Sequence, residues 1–244
     1  MSIFNFFKKE EKPYIKVWSS VPGLEEVCPP VSPLECLPDW FKTMPKDVTR
    51  NAVLHPGTAK RCPSFVDYFS QGIVIKLWCD VALSIKEDNT YEVYTPEDVF
   101  QFKNHGNEQF LDHIPNQGGM SMVLKALCPW RIMTPPGWSV LQLPMAYNFD
   151  ADFTVLPGTI WTDIHHEVNQ QMAFHKPGEY LLKRGTPLAT YIPFKREKVE
   201  LQIERMTPEL QHRNQVSYYW WASKFKGGYK EHQAIIKKGD KDAS

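Results

Sequence analysis

Between Gly72 and Lys86 the chain reads GIVIKLWCDVALSIK, with Ile73, Ile75, Leu77, Cys79, Val81 and Leu83 spaced two apart. In an extended chain such residues project to the same side, so the stretch predicts a strand with one buried face. The turn Glu87-Asp88-Asn89 and a strand from Tyr91 to Tyr94 complete a predicted hairpin. A different signal follows. Thr95-Pro96-Glu97-Asp98 offers a cap, a proline suited to the first helical position and an acidic first turn, which predicts a helix running to about Lys103. The residues after it, through Gly118 and Gly119, read as loop.

From Trp130 to Lys195, four short apolar runs are separated by Pro135-Pro136-Gly137, Asn148-Phe149-Asp150, Pro157-Gly158, Pro177-Gly178 and Arg184-Gly185. Strong turn signals at that spacing predict a small β-barrel or sandwich. A capped helix starts at Thr207-Pro208-Glu209 and runs through Tyr218, Tyr219, Trp220 and Trp221 to Gly227-Gly228. Upstream, Tyr14 to Trp18 alternates like a strand, while Pro22, Pro29, Pro30, Pro33 and Pro38 interrupt regular structure and suggest a strap. Pro38-Asp39-Trp40-Phe41-Lys42 predicts a short helical turn. The fold expected is mainly β with a few helices, in one domain over residues 1–244. Its parts are a strap (1–45), a hairpin region (60–95), a barrel core (130–195), a C-terminal helix (207–227) and a disordered tail (238–244).

Composition narrows the classes. Lys plus Arg and Asp plus Glu both total 28, so the formal net charge is zero, which disfavours nucleic acid as a partner. The five cysteines, Cys28, Cys36, Cys62, Cys79 and Cys128, contain no C-x-x-C pair, which argues against a disulfide framework or zinc ribbon and fits a reduced cytoplasm. Met1 to Phe7 is followed at once by Lys8, Lys9, Glu10 and Glu11, too short an apolar run for a signal peptide. It reads as an amphipathic anchor docked on the domain or as a membrane- or partner-binding tip. No run approaches the roughly 20 apolar residues of a spanning helix, so no membrane span is expected.

The densest polar cluster is Asp163, His165, His166, Glu167 and, farther on, His175. If Thr162 to Asn169 is a strand, His165 and Glu167 share a face, and His175 completes a His/Glu/His set suited to iron, zinc or manganese. The plainer reading is a solvated strand face. Cys62 has Lys60 and Arg61 beside it, and positive neighbours favour thiolate; the alternative is a buried structural cysteine. There is no G-x-S-x-G elbow and no P-loop. Tyr218, Tyr219, Trp220, Trp221, Phe225 and Tyr229, interleaved with Lys224, Lys226 and Lys230, could stack bases or bury an aromatic face in the core or an oligomer contact.

The order of motifs carries a resemblance. It runs from Pro38-Asp39-Trp40-Phe41-Lys42 through Ala59-Lys60-Arg61-Cys62-Pro63, Pro129-Trp130, Thr134-Pro135-Pro136-Gly137-Trp138 and Lys183-Arg184-Gly185-Thr186-Pro187-Leu188 to Ile192-Pro193-Phe194. Over most of the chain this resembles uncharacterised proteins of tailed phages of marine bacteria, of the cyanophage type. The resemblance implies a phage gene and a place in the infected host's cytoplasm or in the virion. Residues 135–193 also resemble the β-clip fold of dUTPases and dCTP deaminases. Gly158, Ile160, Asp163 and Glu167 fall on that family's Gly-Val-Ile-Asp-x-Asp-Tyr-x-Gly-Glu motif, and Gly185, Leu188 and Ala189 on its Gly-Asp-Arg-Ile-Ala-Gln motif. A trimer with pockets between subunits is implied.

Departures from that pattern decide the activity expected. The water-orienting Asp falls on Trp161, the stacking Tyr on Ile164, and no Arg-Ser-Gly motif stands around Leu143-Pro144-Met145. Hydrolysis of a nucleoside triphosphate therefore lacks its carboxylate and its phosphate donors. The expectation is an accessory protein that binds a small planar ligand in a pocket lined by Trp138, Trp161, Asp163, His165 and Glu167. A metal enzyme built on His165, Glu167 and His175, and a structural or host-interaction oligomer, are the alternatives.

Overall fold

The computed structural model describes residues 13–48, 57–88, 90–95, 100–104 and 122–222, with Gln109 and Ile235. The chain divides into two compact units, residues 1–196 and 197–244. In the first, β1 (Lys16–Ser19) precedes the short helices α1 (Leu24–Val27), α2 (Asp39–Thr43) and α3 (Pro63–Phe69). Then come β2 (Ile73–Lys76), β3 (Val81–Ile85), β4 (Tyr91–Tyr94), β5 (Phe102–Asn104), β6 (Met122–Ala126), β7 (Trp130–Met133) and β8 (Trp138–Pro144). They are followed by β9 (Phe153–Val155), β10 (Gly158–Ile160), β11 (Gln170–Phe174), β12 (Gly178–Leu182) and β13 (Pro187–Lys195). The second unit holds α4 (Pro208–Ala222).

The strands pair antiparallel in four sheets, ordered β10-β8-β13-β2, β5-β6-β11-β9, β12-β3-β4 and β1-β7. The protein is mainly β and sandwich-like, as the turn spacing predicts, but the strands do not close into a barrel. Closure requires pairing to continue around the ring. Here each sheet stops at edge strands among the described residues, β10 and β2 for the sheet built on β13. One apolar core gathers Ile75, Leu83, Leu124, Ile132, Met172 and Leu188 from all these layers.

Three elements differ from the sequence reading. The predicted strand from Gly72 to Lys86 is two strands in two sheets, broken at Leu77–Asp80. Leu77, Trp78 and Cys79 are all buried, which a strict alternation cannot achieve. The break is held by Leu77 N–H donating to Thr186 O, Gly185 N–H donating to Leu77 O, and Arg184 N–H donating to Asp80 Oδ1 at 2.7 Å. Lys103, predicted to end a helix, lies in β5; residues 96–99, where that helix was to start, are outside those described. β6 was missed because Met122, Val123, Leu124 and Ala126 are buried on both faces around the half-buried Lys125, which leaves no alternation.

Elsewhere the local signals hold. The hairpin pairs Ile85 with Tyr91, and α2 forms at Asp39–Thr43. Thr207 caps α4, its Oγ1 accepting from Leu210 N at 3.2 Å. Tyr218 and Tyr219 are exposed; the end of the helix at Gly227-Gly228, the tail after Lys237 and the opening Met1 to Phe7 lie outside the described residues. Gly72 is dictated by packing: its φ is +73°, and a Cβ there would sit 2.1 Å from Tyr191 O.

Candidate functional site

Thr162–Asn169 is not the strand that the metal reading needs. Ile164 N–H and His165 N–H both donate to Trp161 O, at 3.0 and 2.8 Å, closing a turn. Single contacts along β7 hold the rest: Ile132 N–H donates to His166 O at 3.0 Å, and Glu167 bridges Arg131. His165 is exposed, Glu167 accepts from Arg131 and Asn169, and His175 pairs with Thr154 at 2.9 Å. No group of three or more His, Cys, Asp or Glu side chains is gathered for a metal ion among the described residues. The turn replaces the two-residue alternation of a strand, and His175, bonded to Thr154, does not line the depression that His165 and Glu167 share. His166 is the embedded histidine, its Nδ1 between Thr162 O and Ile132 O at 3.0 and 3.2 Å and its ring edge-on to Trp18.

The predicted ligand pocket divides. Arg196 donates to both oxygens of Asp163, to Trp138 O at 2.6 Å and to Ser139 Oγ at 2.8 Å. Gly137 N–H donates to Asp163 Oδ2 at 2.9 Å. Hydrogen bonds from Arg196, then from Gly137, hold the Asp163 carboxyl down at about 2. The Arg196 guanidinium lies 4.1 Å from the centre of the Trp161 ring, which is 54% exposed. Trp161, Asp163 and the Trp138 carbonyl thus meet around an arginine that satisfies the carboxylate and covers one ring face. Trp161, His165 and Glu167 line a depression of about 390 Å³ to which Trp138 and Asp163 do not contribute.

A larger groove, about 600 Å³, opens between the strap and the loop from β8 to β9, lined by Cys36, Trp40, Lys76, Met145 and Phe149. Phe41, Phe65 and Phe69 form a second small core beneath it. Trp40 stacks on Phe149 with centroids 5.7 Å apart, and its Nε1–H donates to Tyr147 O at 3.0 Å. Tyr147 sits at φ 61°, a left-handed conformation costing about 1–2 kcal/mol for a residue with a Cβ. Its ring packs 4.5 Å from Phe65. Phe149, at the turn, is 76% exposed.

Lys76 ends β2 at this groove, half-buried and without an ion pair or side-chain hydrogen bond among the described residues. Burial raises the thiol pKa of Cys28 and Cys36, and the positive charge of Lys76 opposes that rise at both. Lys42 is occupied by Asp39 at 3.0 Å, and Glu35 by Ser32 N–H in a capping box.

The groove was not identified from the sequence, although aromatic residues in the two turns Pro38–Lys42 and Asn148–Asp150 were a signal for it. Its lysine gave none, because Lys76 reads as one polar position in an alternating strand. Cys62, read as a buried structural cysteine, is exposed at the cap of α3. No helix among the described residues is long and apolar enough to cross a membrane. No protein-family model matches this chain, and no curated protein matches it.

Proposed function

We propose that this protein binds a small planar aromatic anion in the groove between its strap and the loop joining β8 to β9, and that it does so without hydrolysing dUTP. One observation carries the reading: a half-buried lysine, Lys76, in no ion pair among the described residues, lines a groove walled by Trp40 and Phe149. An unpaired ammonium in a partly desolvated site is stabilised by an incoming anion, and stacked rings offer a flat apolar surface. Glu35, Asp39 and Asp150 also line the groove and repel an anion, and Lys42 is paired with Asp39, so the anionic group belongs at Lys76. The tailed-phage resemblance supplies the setting, an accessory binding protein in an infected cell or a virion.

The test is a thermal-shift titration with 1-naphthoate and adenosine monophosphate against the wild type and Lys76→Met. At ten times its Kd a ligand adds about 1.4 kcal/mol, or roughly 3–6 °C in Tm for a chain of this size. Lys76→Met abolishes the shift. If neither probe stabilises the wild type, or if Lys76→Met responds equally, the reading fails.

A further inference from the structure

Residues 198–206 carry a strand's alternation without a strand. Val199, Leu201 and Ile203 are 87, 82 and 86% exposed, and Lys198, Glu200, Gln202 and Glu204 occupy the positions between and beside them. No backbone hydrogen bond from residues 198–206 occurs among the described residues. An apolar row and unbonded amide groups on a segment outside any helix or sheet are what a missing sheet neighbour leaves.

A matching edge exists in the first unit. β5 ends its sheet among the described residues. There Lys103 stands directly across from Lys125 of β6, neither with an anionic partner among the described residues. Like charges placed opposite each other destabilise a strand pair. On the other face of the same edge Phe102 is half-buried against the core, two residues after the buried Phe100.

We propose that residues 198–206 of one copy of this chain add as an antiparallel strand to the β5 edge of a second copy. Placing Glu200 beside Lys103 sets Leu201 beside Phe102 and Ile203 beside Phe100, because both segments alternate with a period of two. Glu200 brings negative charge to the Lys103–Lys125 pair, and the apolar row extends the core. One chain carries both halves, so exchange between copies satisfies every arm and every edge. Charge complementarity on one face and apolar continuity on the other select a second copy as the occupant.

Sedimentation equilibrium of the full chain at low salt tests this. The wild type has a mass that is a multiple of 28.3 kDa, and added salt lowers it. Lys103→Glu or Glu200→Lys alone returns the mass to 28.3 kDa, and the two together restore the assembly. Both side chains are exposed, so each variant folds, which circular dichroism verifies. A monomeric wild type, an assembly indifferent to both single reversals, or a double reversal that fails to restore it overturns the proposal.

Discussion

Tyr191→Phe removes one oxygen from the centre of the fold. The Tyr191 hydroxyl accepts from Gln170 Nε2 at 2.7 Å, and its single proton faces Gln142 Oε1 at 2.9 Å and Val168 O at 3.1 Å. All three side chains are buried, and burial pushes the Tyr191 phenol well above its ordinary pKa, so it remains a neutral donor. In the variant Gln170 Nε2 keeps Val168 O at 2.8 Å and Gln142 Nε2 keeps Leu156 O at 3.0 Å, but Gln142 Oε1 loses its donor. The bond accepted from Gln170 and the bond donated to Gln142 are both lost, and the orphaned buried acceptor brings the cost to about 1–3 kcal/mol, or roughly 2–12 °C in Tm at this chain length. Urea denaturation measures it. Gln142→Met removes the orphan, so Tyr191→Phe/Gln142→Met costs less than the sum of the single changes, by about 1 kcal/mol. A Tyr191→Phe variant as stable as the wild type, or strict additivity in the double variant, would refute the shared-proton account.

The remaining predictions concern charge, backbone and thiols. Asp163 is held at about 2 by Arg196, so its contribution to stability is complete above the unfolded carboxylate range near 4 and is lost as pH falls toward 2. The difference in Tm between wild type and Asp163→Asn should therefore close between pH 4 and pH 2 and stay constant above it; a difference unchanged at pH 2 contradicts the clamp. Gly72→Ala places a Cβ against Tyr191 O at a left-handed φ and should cost about 3–5 kcal/mol, read by the same denaturation; a loss under about 1 kcal/mol would mean the strand moves freely. Cys62 is exposed, whereas burial pushes the Cys128 thiol up to about 11. Iodoacetamide at pH 8 should label Cys62 in the native protein and leave Cys128 unmodified, and mass spectrometry of the peptides would show the reverse if the burial were wrong.

Period and turn chemistry made much of this fold legible. The hairpin around Glu87–Asn89, the turn at Pro38–Lys42 and the cap at Thr207 depend on residues close in sequence, and all three stand. What failed depends on distant partners. The break at Leu77–Asp80 is made by Thr186, Gly185 and Arg184, roughly a hundred residues on, and no local pattern marks it. His165 and Glu167 were placed on one face by assuming a strand, but Trp161 O accepts two amides and turns the chain. Arg196, which contacts both Trp161 and Asp163, was not legible, because an arginine after a strand looks like any solvated charge.

The groove reading is tested most directly by the indole N–H resonance of Trp40, assigned among the eight tryptophans by Trp40→Phe and followed during titration with 1-naphthoate. Saturable movement of that resonance in the wild type, lost in Lys76→Met, is the predicted result. A Trp40 resonance that stays fixed while others move, or that moves equally without Lys76, would contradict it.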